Sequence, residues 1–183
     1  MMAVSALAMI LKLKRAPVIY LVGFMACGKS TAGGLLAERL GWQFLDLDQE
    51  IEKEQGTAIA EIFSQHGETE FRRLETEAIR ARVHLAQSGN PMVMALGGGA
   101  FLQPDNFNLI ISNGVAVWLD CPLDVLKERI AGDATRPLAS DPEQFERLYA
   151  SRRPGYARAD YRIDTTGMDA DQVTEAVLAL PIF

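Results

Sequence analysis

The sequence predicts an α/β fold, a parallel sheet with helices on both faces, and three observations carry that prediction. Short, apolar, β-branched runs alternate with longer stretches of helical periodicity, as in strand–helix–strand crossovers. The first run, Val18-Ile19-Tyr20-Leu21-Val22, leads into Gly23-Phe24-Met25-Ala26-Cys27-Gly28-Lys29-Ser30-Thr31, a G-x-x-x-x-G-K-[ST] spacing set between a strand and a helix. At 183 residues the chain can enclose one such core without disulfides or metals, and a second domain is not expected. The domain is expected over residues 17–183, with residues 1–16 as an N-terminal extension.

Strands are expected at Val18–Val22, Gln43–Asp46, Met92–Ala95, Val115–Leu119 and a short Tyr161–Asp164. Between them the apolar spacing turns helical, over Ser30–Leu40, Asp48–Glu54, Ala58–Gln65, Gly67–Ala86, Pro104–Asn113, Leu123–Ile130, Pro142–Ala157 and Asp169–Leu180. Gly132 to Gln144 breaks both periodicities with Gly, Asp, Thr, Ser and two prolines. That polar stretch contains Arg136 and reads either as a mobile lid or as a plain surface connection. No internal repeat or low-complexity tract interrupts the pattern.

Composition narrows the function classes. The chain is 49% hydrophobic and 23% charged with a net charge of −6, ordinary for a soluble protein, and nothing in it calls for a nucleic-acid partner. Met1 to Leu13 is apolar, but Lys12, Lys14 and Arg15 follow the apolar part instead of preceding it, and the run is too short to span a bilayer. It reads as an extension before the first strand, frayed or helical, and no membrane role is expected. Cys27 and Cys121 do not make a disulfide framework or a closely spaced metal site, which favours a reducing, cytoplasmic setting. Thirteen of the 18 basic residues are Arg, and several gather between Arg129 and Arg162, a local capacity to grip carboxylate or phosphate.

The glycine-rich loop carries the first chemistry. Its glycines let backbone N–H groups turn inward around a phosphate, and the helix after it adds its positive dipole end. In that spacing Lys29 holds β- and γ-phosphates and the Ser30 hydroxyl ligates Mg²⁺. Asp46-Leu47-Asp48 follows, with strand alternation setting both carboxylates on one side of the C-terminal end, where open parallel sheets bind ligands. Two acids there can divide the tasks of standing by Mg²⁺ and of orienting or deprotonating a hydroxyl; a helix cap is the plainer reading of Asp48. Arg72 and Glu75 share a helix face at a spacing that allows a pair, with Phe63 and Phe71 as apolar bulk nearby. Leu96-Gly97-Gly98-Gly99-Ala100 ends the third strand, where three glycines mark either close approach of backbone to a ligand or an empty flexible turn. That strand lacks an acid for Mg²⁺, which leaves Asp46 for the task.

In order and spacing, the phosphate loop, Phe44-Leu45-Asp46-Leu47-Asp48, Phe71-Arg72-Arg73-Leu74-Glu75, the triple glycine, Thr135-Arg136-Pro137-Leu138 and Arg152-x-Pro154-x-Tyr156 resemble the shikimate kinase family. The resemblance runs from about Val18 to the C-terminal helix. It implies a P-loop NTP hydrolase-like three-layer sandwich with a five-stranded parallel sheet and a mobile lid. It implies transfer of the γ-phosphoryl group of ATP to the 3-hydroxyl of shikimate, a step of aromatic amino-acid biosynthesis, with ATP and Mg²⁺ required and a monomer expected.

By the same likeness Gly23, Ala26, Cys27, Gly28, Lys29, Ser30, Thr31, Arg129 and Arg136 hold the nucleotide, Arg129 against the adenine and Arg136 swinging in from the lid. Ser30 and Asp46 hold the metal. Asp48 contacts the shikimate hydroxyls and serves as base, Arg72 and Arg152 grip its carboxylate, Gly98 and Gly99 donate backbone hydrogen bonds, and Phe63 and Phe71 wall the ring. Lys29, Asp48 and Arg136 make up the catalytic set. The chain departs from the family pattern at Ala26, where glycine is common, and at Cys27, where a small residue stands, which bears on the loop's torsions and on thiol reactivity. Ser151 stands where many members have an acid, and Gly167-Met168 brings no basic residue to the nucleotide, so adenine contacts are expected mostly from backbone.

Kinases of other small metabolites share the loop and the sheet. The arginine set with the triple glycine favours a carboxylate-bearing acceptor; a nucleoside monophosphate kinase needs a base pocket that no motif here supplies. A guanine-specific switch needs Asn-Lys-x-Asp, which the sequence does not contain.

Overall fold

The structure, a computed structural model, describes residues 18–131 and 141–182. Five strands, β1 (Val18–Val22), β2 (Gln43–Asp46), β3 (Met92–Ala95), β4 (Val115–Asp120) and β5 (Tyr161–Asp164), form one sheet in the order β2-β3-β1-β4-β5. Every pairing is parallel, and Leu21 stands opposite Ala95 as Val22 stands opposite Trp118. The strands β1, β3 and β4 are buried at every residue, so they read as continuous apolar runs and not as alternation. The edge strands β2 and β5 are mixed, with Phe44 half out of the core.

The helices are α1 (Lys29–Leu40), α2 (Leu47–Gln55), α3 (Ile59–Gln87), α4 (Pro104–Asn113), α5 (Leu123–Ile130), α6 (Pro142–Tyr156) and α7 (Ala170–Leu178), with a 3₁₀ turn at Ala100–Leu102. In this strand order the β1-to-β2 connection runs one way across the sheet and the later ones run back the other. Right-handed crossovers therefore put α1 on one face, where α7 packs against it, and α3 and α4 together on the other. The reversal falls between β1 and β3, and the crevice outside their C-terminal ends is where such sheets take ligands. Those ends lead into the phosphate loop and the triple glycine, which is how the topology assembles the site. Among the described residues no helix is long and apolar enough to cross a membrane.

Local chemistry sets the helix ends, with three differences from the sequence reading. The expected helices at Ala58–Gln65 and Gly67–Ala86 run on as α3, but Gly67 at φ 79, ψ 175 kinks it at the expected break. Asp48 is not the cap of α2: the helix begins at Leu47, and Asp46 Oδ1 accepts from Asp48 N at 3.1 Å and Gln49 N at 3.4 Å. The helix α7 starts one residue late because Asp169 caps it, in a reciprocal box with Gln172. The expected extension and the expected lid with Thr135-Arg136-Pro137-Leu138 lie outside the described residues.

In the phosphate loop, Ala26 is the one non-glycine at positive φ among the described residues, at 61°. An L-residue there costs ~1–2 kcal/mol, offset in part by the lower chain entropy of alanine when unfolded. Ala26→Gly is therefore expected to raise stability by roughly 0.5–1 kcal/mol, or about 2 °C in Tm followed by circular dichroism without nucleotide.

Candidate active site

A cavity of about 620 Å³ opens over the C-terminal ends of β1 and β3, floored by the phosphate loop from Met25 to Thr31 and walled by Asp46, Asp48, Gly97, Gly98 and Arg129. The strand β1 delivers the loop rigidly, and Gly28, at φ 96, turns the chain into α1 so that the first helical N–H groups face the cavity. Lys29 Nζ donates to the carbonyls of Gly23 at 3.0 Å and Phe24 at 2.9 Å, lying across the loop. The Ser30 hydroxyl bonds to Asp46 Oδ2, so the two hard oxygen donors are side by side. Arg129 reaches from α5 to the Ala26 carbonyl at 2.9 Å.

The triple glycine joins this cavity to a second set of charged groups. A Cβ on Gly97 would lie 2.5 Å from Asp48 Oδ1, one on Gly98 would lie 3.1 Å from Arg152 Nη1, and one on Gly99 would lie 2.7 Å from Arg72 Nη2. Three successive glycines thus admit a carboxylate from α2, a guanidinium from α6 and another from α3. Any side chain at these positions displaces one of them.

A family model described as shikimate kinase matches residues 25–180. The chain belongs to the shikimate kinase family. The shikimate kinase of Persephonella marina is 43% identical over 161 residues, covering 87% of this chain and 96% of that protein. That of Geobacter sulfurreducens is 44% identical over 162 residues, covering 87% of each. Among solved structures, the shikimate kinase from Acinetobacter baumannii in complex with shikimate superposes with a TM-score of 0.81 at 37% identity, covering 92% of this chain and 94% of that one. The Aquifex aeolicus shikimate kinase gives 0.77 at 34% identity, over 88% and 94% of the two chains. Family membership fits the P-loop kinase fold seen here, with its five-stranded parallel sheet.

The residues expected at the nucleotide from Ala26 to Thr31, with Arg129, line the cavity, and Gly23 does not. A Cβ on Gly23 would lie 2.7 Å from the Leu119 carbonyl, so the loop can hug β4 only with glycine there. Of the residues expected at the acid, Asp48 and Gly98 line the cavity; Gly99, Arg72, Arg152, Phe63 and Phe71 do not, although Arg152 lies against Gly98 and Arg72 against Gly99. Phe63 and Phe71 stack with centroids 4.7 Å apart, and Arg72 lies 5.2 Å over the Phe71 ring. Arg136 lies outside the described residues.

Two groups stand out beyond the sequence reading. The connection from β5 into α7 brings Thr165, Met168 and Asp169 to the cavity wall, at the place where the resemblance sets Gly167-Met168 by the nucleotide. Glu75 is fully buried, and Arg72 Nη1 donates to its Oε2 at 2.7 Å while Arg72 also bonds Glu68. The pair was legible from spacing; its burial was not. Glu75 Oε1 and Asp48 Oδ1 have no partner among the described residues, and both face Gly97.

Burial pushes the Asp48 carboxyl above the usual carboxylate range, and Asp46 adds to this while Lys29 and Arg72 pull back. Burial likewise raises Glu75 to about 7 against the pull of Arg72. A carboxyl whose pKa is raised by folding stabilises fully below its unfolded value and loses that contribution as pH rises through the folded value. The fold is thus expected to lose stability between about pH 4.5 and 7.5 on account of Glu75, a decline that Glu75→Gln removes; Tm against pH for the two proteins checks it. The carboxyls of Glu70, partly exposed beside Arg73, and of the exposed Asp164 are lowered, and their contribution is lost only as pH falls through their depressed values, outside that window.

Proposed function

We propose that this chain transfers the γ-phosphoryl group of ATP to the 3-hydroxyl of shikimate, giving shikimate 3-phosphate and ADP. The observation that supports this best is the run Gly97-Gly98-Gly99, which admits Asp48, Arg152 and Arg72 beside a phosphate loop. A small hydroxylated acid needs that combination: two guanidinium groups for its carboxylate and one carboxylate for its hydroxyls. Family membership supports the same acceptor, and the Acinetobacter baumannii relative was solved with shikimate bound.

The phosphates lie over the N–H groups of the loop and the start of α1, and Lys29 leaves the Gly23 and Phe24 carbonyls to meet the β- and γ-phosphates. Ser30 and Asp46, two hard oxygens already adjacent, suit Mg²⁺ and would hold it. When bound, the ion supplies charge neutralisation at the phosphates. No group of three or more His, Cys, Asp or Glu side chains gathers for a metal among the described residues, and phosphate oxygens and water would supply the remaining ligands.

Asp48 orients the 3-hydroxyl and takes its proton, a task its raised pKa suits. Arg72 and Arg152 fix the carboxylate at the opposite end of the ring, Gly98 and Gly99 offer their amides, and Phe63 and Phe71 wall the ring. Positioning and charge neutralisation then carry most of the rate. Arg129 stands by the nucleotide, and the family resemblance gives Arg136, which lies outside the described residues, a role at the phosphates. The chain works as a cytoplasmic monomer of one domain, residues 17–183, without nucleic-acid or membrane partners. A coupled ATP-consumption assay offering shikimate, quinate, gluconate and nucleoside monophosphates in parallel tests the reading. Turnover is expected with shikimate, and a preparation inert toward it but active on another acceptor overturns the assignment.

A further inference from the structure

We infer that Asp120 is a positioning residue for the acid-gripping Arg152, acting through its neighbour Arg153; the inference rests on the role proposed above for Arg152. Asp120 ends β4, and its side chain is 5% exposed. Arg153 on α6 meets it with both ends of the guanidinium, Nη1 to Oδ1 at 2.5 Å and Nη2 to Oδ2 at 2.7 Å. Arg162 of β5 adds Nε to Oδ2 at 2.9 Å. The Arg153 guanidinium lies 5.0 Å over the Trp118 ring and bonds the Tyr149 hydroxyl at 2.5 Å, and that hydroxyl donates to the Cys121 carbonyl at 3.0 Å. A buried carboxylate held bidentately in this way fixes direction as well as distance.

Arg152 has no such anchor. Among the described residues no carboxylate pairs with it; it lies 5.7 Å over the Phe24 ring and beside Gly98, next to the Tyr156 hydroxyl, which holds it by one neutral contact in place of a charged fork. A guanidinium left open for a ligand takes its place from the backbone that carries it. That backbone is weakened, because Pro154 inside α6 has no N–H to give to the turn that contains Arg152. The last turn is held instead from both sides of Arg152: Arg153 ties it to β4, and the Tyr156 hydroxyl ties it to the Gly98 carbonyl at 2.5 Å. Asp120 thereby sets how far Arg152 can stray from the glycine run, without touching a ligand itself.

The test is steady-state kinetics of the full chain with Arg153→Met, made both alone and with Arg152→Ala, each checked for folding by thermal unfolding. Arg153→Met is expected to raise the KM for shikimate at least about fivefold, with kcat and the KM for ATP within about twofold. In the Arg152→Ala background it is expected to add less than about twofold, because the group it positions is gone. Asp120→Asn is expected to show the same KM split, and Arg153→Lys, which keeps the charge but not the fork, an intermediate one; these two carry the test if Arg153→Met does not fold. An unchanged KM for shikimate, or an equal rise in both backgrounds, overturns the inference. Arg152→Ala alone separates the two possible failures: if it leaves the KM for shikimate unchanged, the reading of Arg152 falls, whereas if it raises the KM and Arg153→Met does not, only the role of Asp120 falls.

Discussion

Asp48→Asn is expected to lower kcat by about 10²- to 10⁴-fold, the usual contribution of a positioned general base, while ATP affinity measured by titration calorimetry stays within about twofold. Asparagine has the same shape, and the fold loses little with it. The cap of α2 belongs to Asp46, and Asp48 Oδ1 makes no hydrogen bond among the described residues. What changes is the ability to take a proton. The raised pKa of Asp48 puts its basicity nearer the working pH than an exposed carboxylate would have, and this arises first from burial and then from Asp46. Binding of the nucleotide rests on the loop, Lys29 and Ser30, none of which bonds the Asp48 side chain among the described contacts. An equal loss of ATP affinity would move Asp48 to the nucleotide side and end its role as base.

Arg72→Ala is expected to raise the KM for shikimate by about 30-fold or more at saturating ATP, from the loss of roughly 2 kcal/mol in a charge-assisted pair. Its guanidinium is fixed before any acid arrives, by Glu75 at 2.7 Å and Glu68 at 3.0 Å and by the Phe71 ring beneath it. Preorganisation of this kind is what the substitution removes, so the effect falls on the acid and not on ATP. The variant also strands Glu75 in the core. With its pKa already near 7, Glu75 goes neutral instead of staying charged and unpaired, which keeps the cost in stability to about 1–3 kcal/mol. A KM for shikimate that stays at its original value would remove Arg72 from the site.

Much of the fold was legible in the sequence because its signals are local. The first strand, the loop and α1 fall where the apolar run and the glycine–lysine spacing put them, and the other strands agree to within a residue, β4 running on to Asp120. The local signals failed where two readings compete within a few residues. The plainer alternative for Asp48, a helix cap, goes to Asp46 instead, because the helix starts at Leu47. The Arg72–Glu75 spacing announced a pair but could not announce that Glu75 is wholly buried, since burial depends on what β3 and α2 bring to it.

The sequence by itself determined the parallel sheet and the phosphate loop, because each rests on periodicity or spacing within about ten residues; the roles of the charged groups around them came from the resemblance to the shikimate kinase family. The sequence left the triple glycine as either a ligand contact or an idle turn. Only the tertiary structure brought Asp48, Arg152 and Arg72 from three separate helices against Gly97, Gly98 and Gly99. It alone joined Asp120 to Arg153 and Arg162. Contacts between elements far apart in the chain follow from the order of strands in the sheet and from which crossover faces which side, and no short stretch of sequence contains that information.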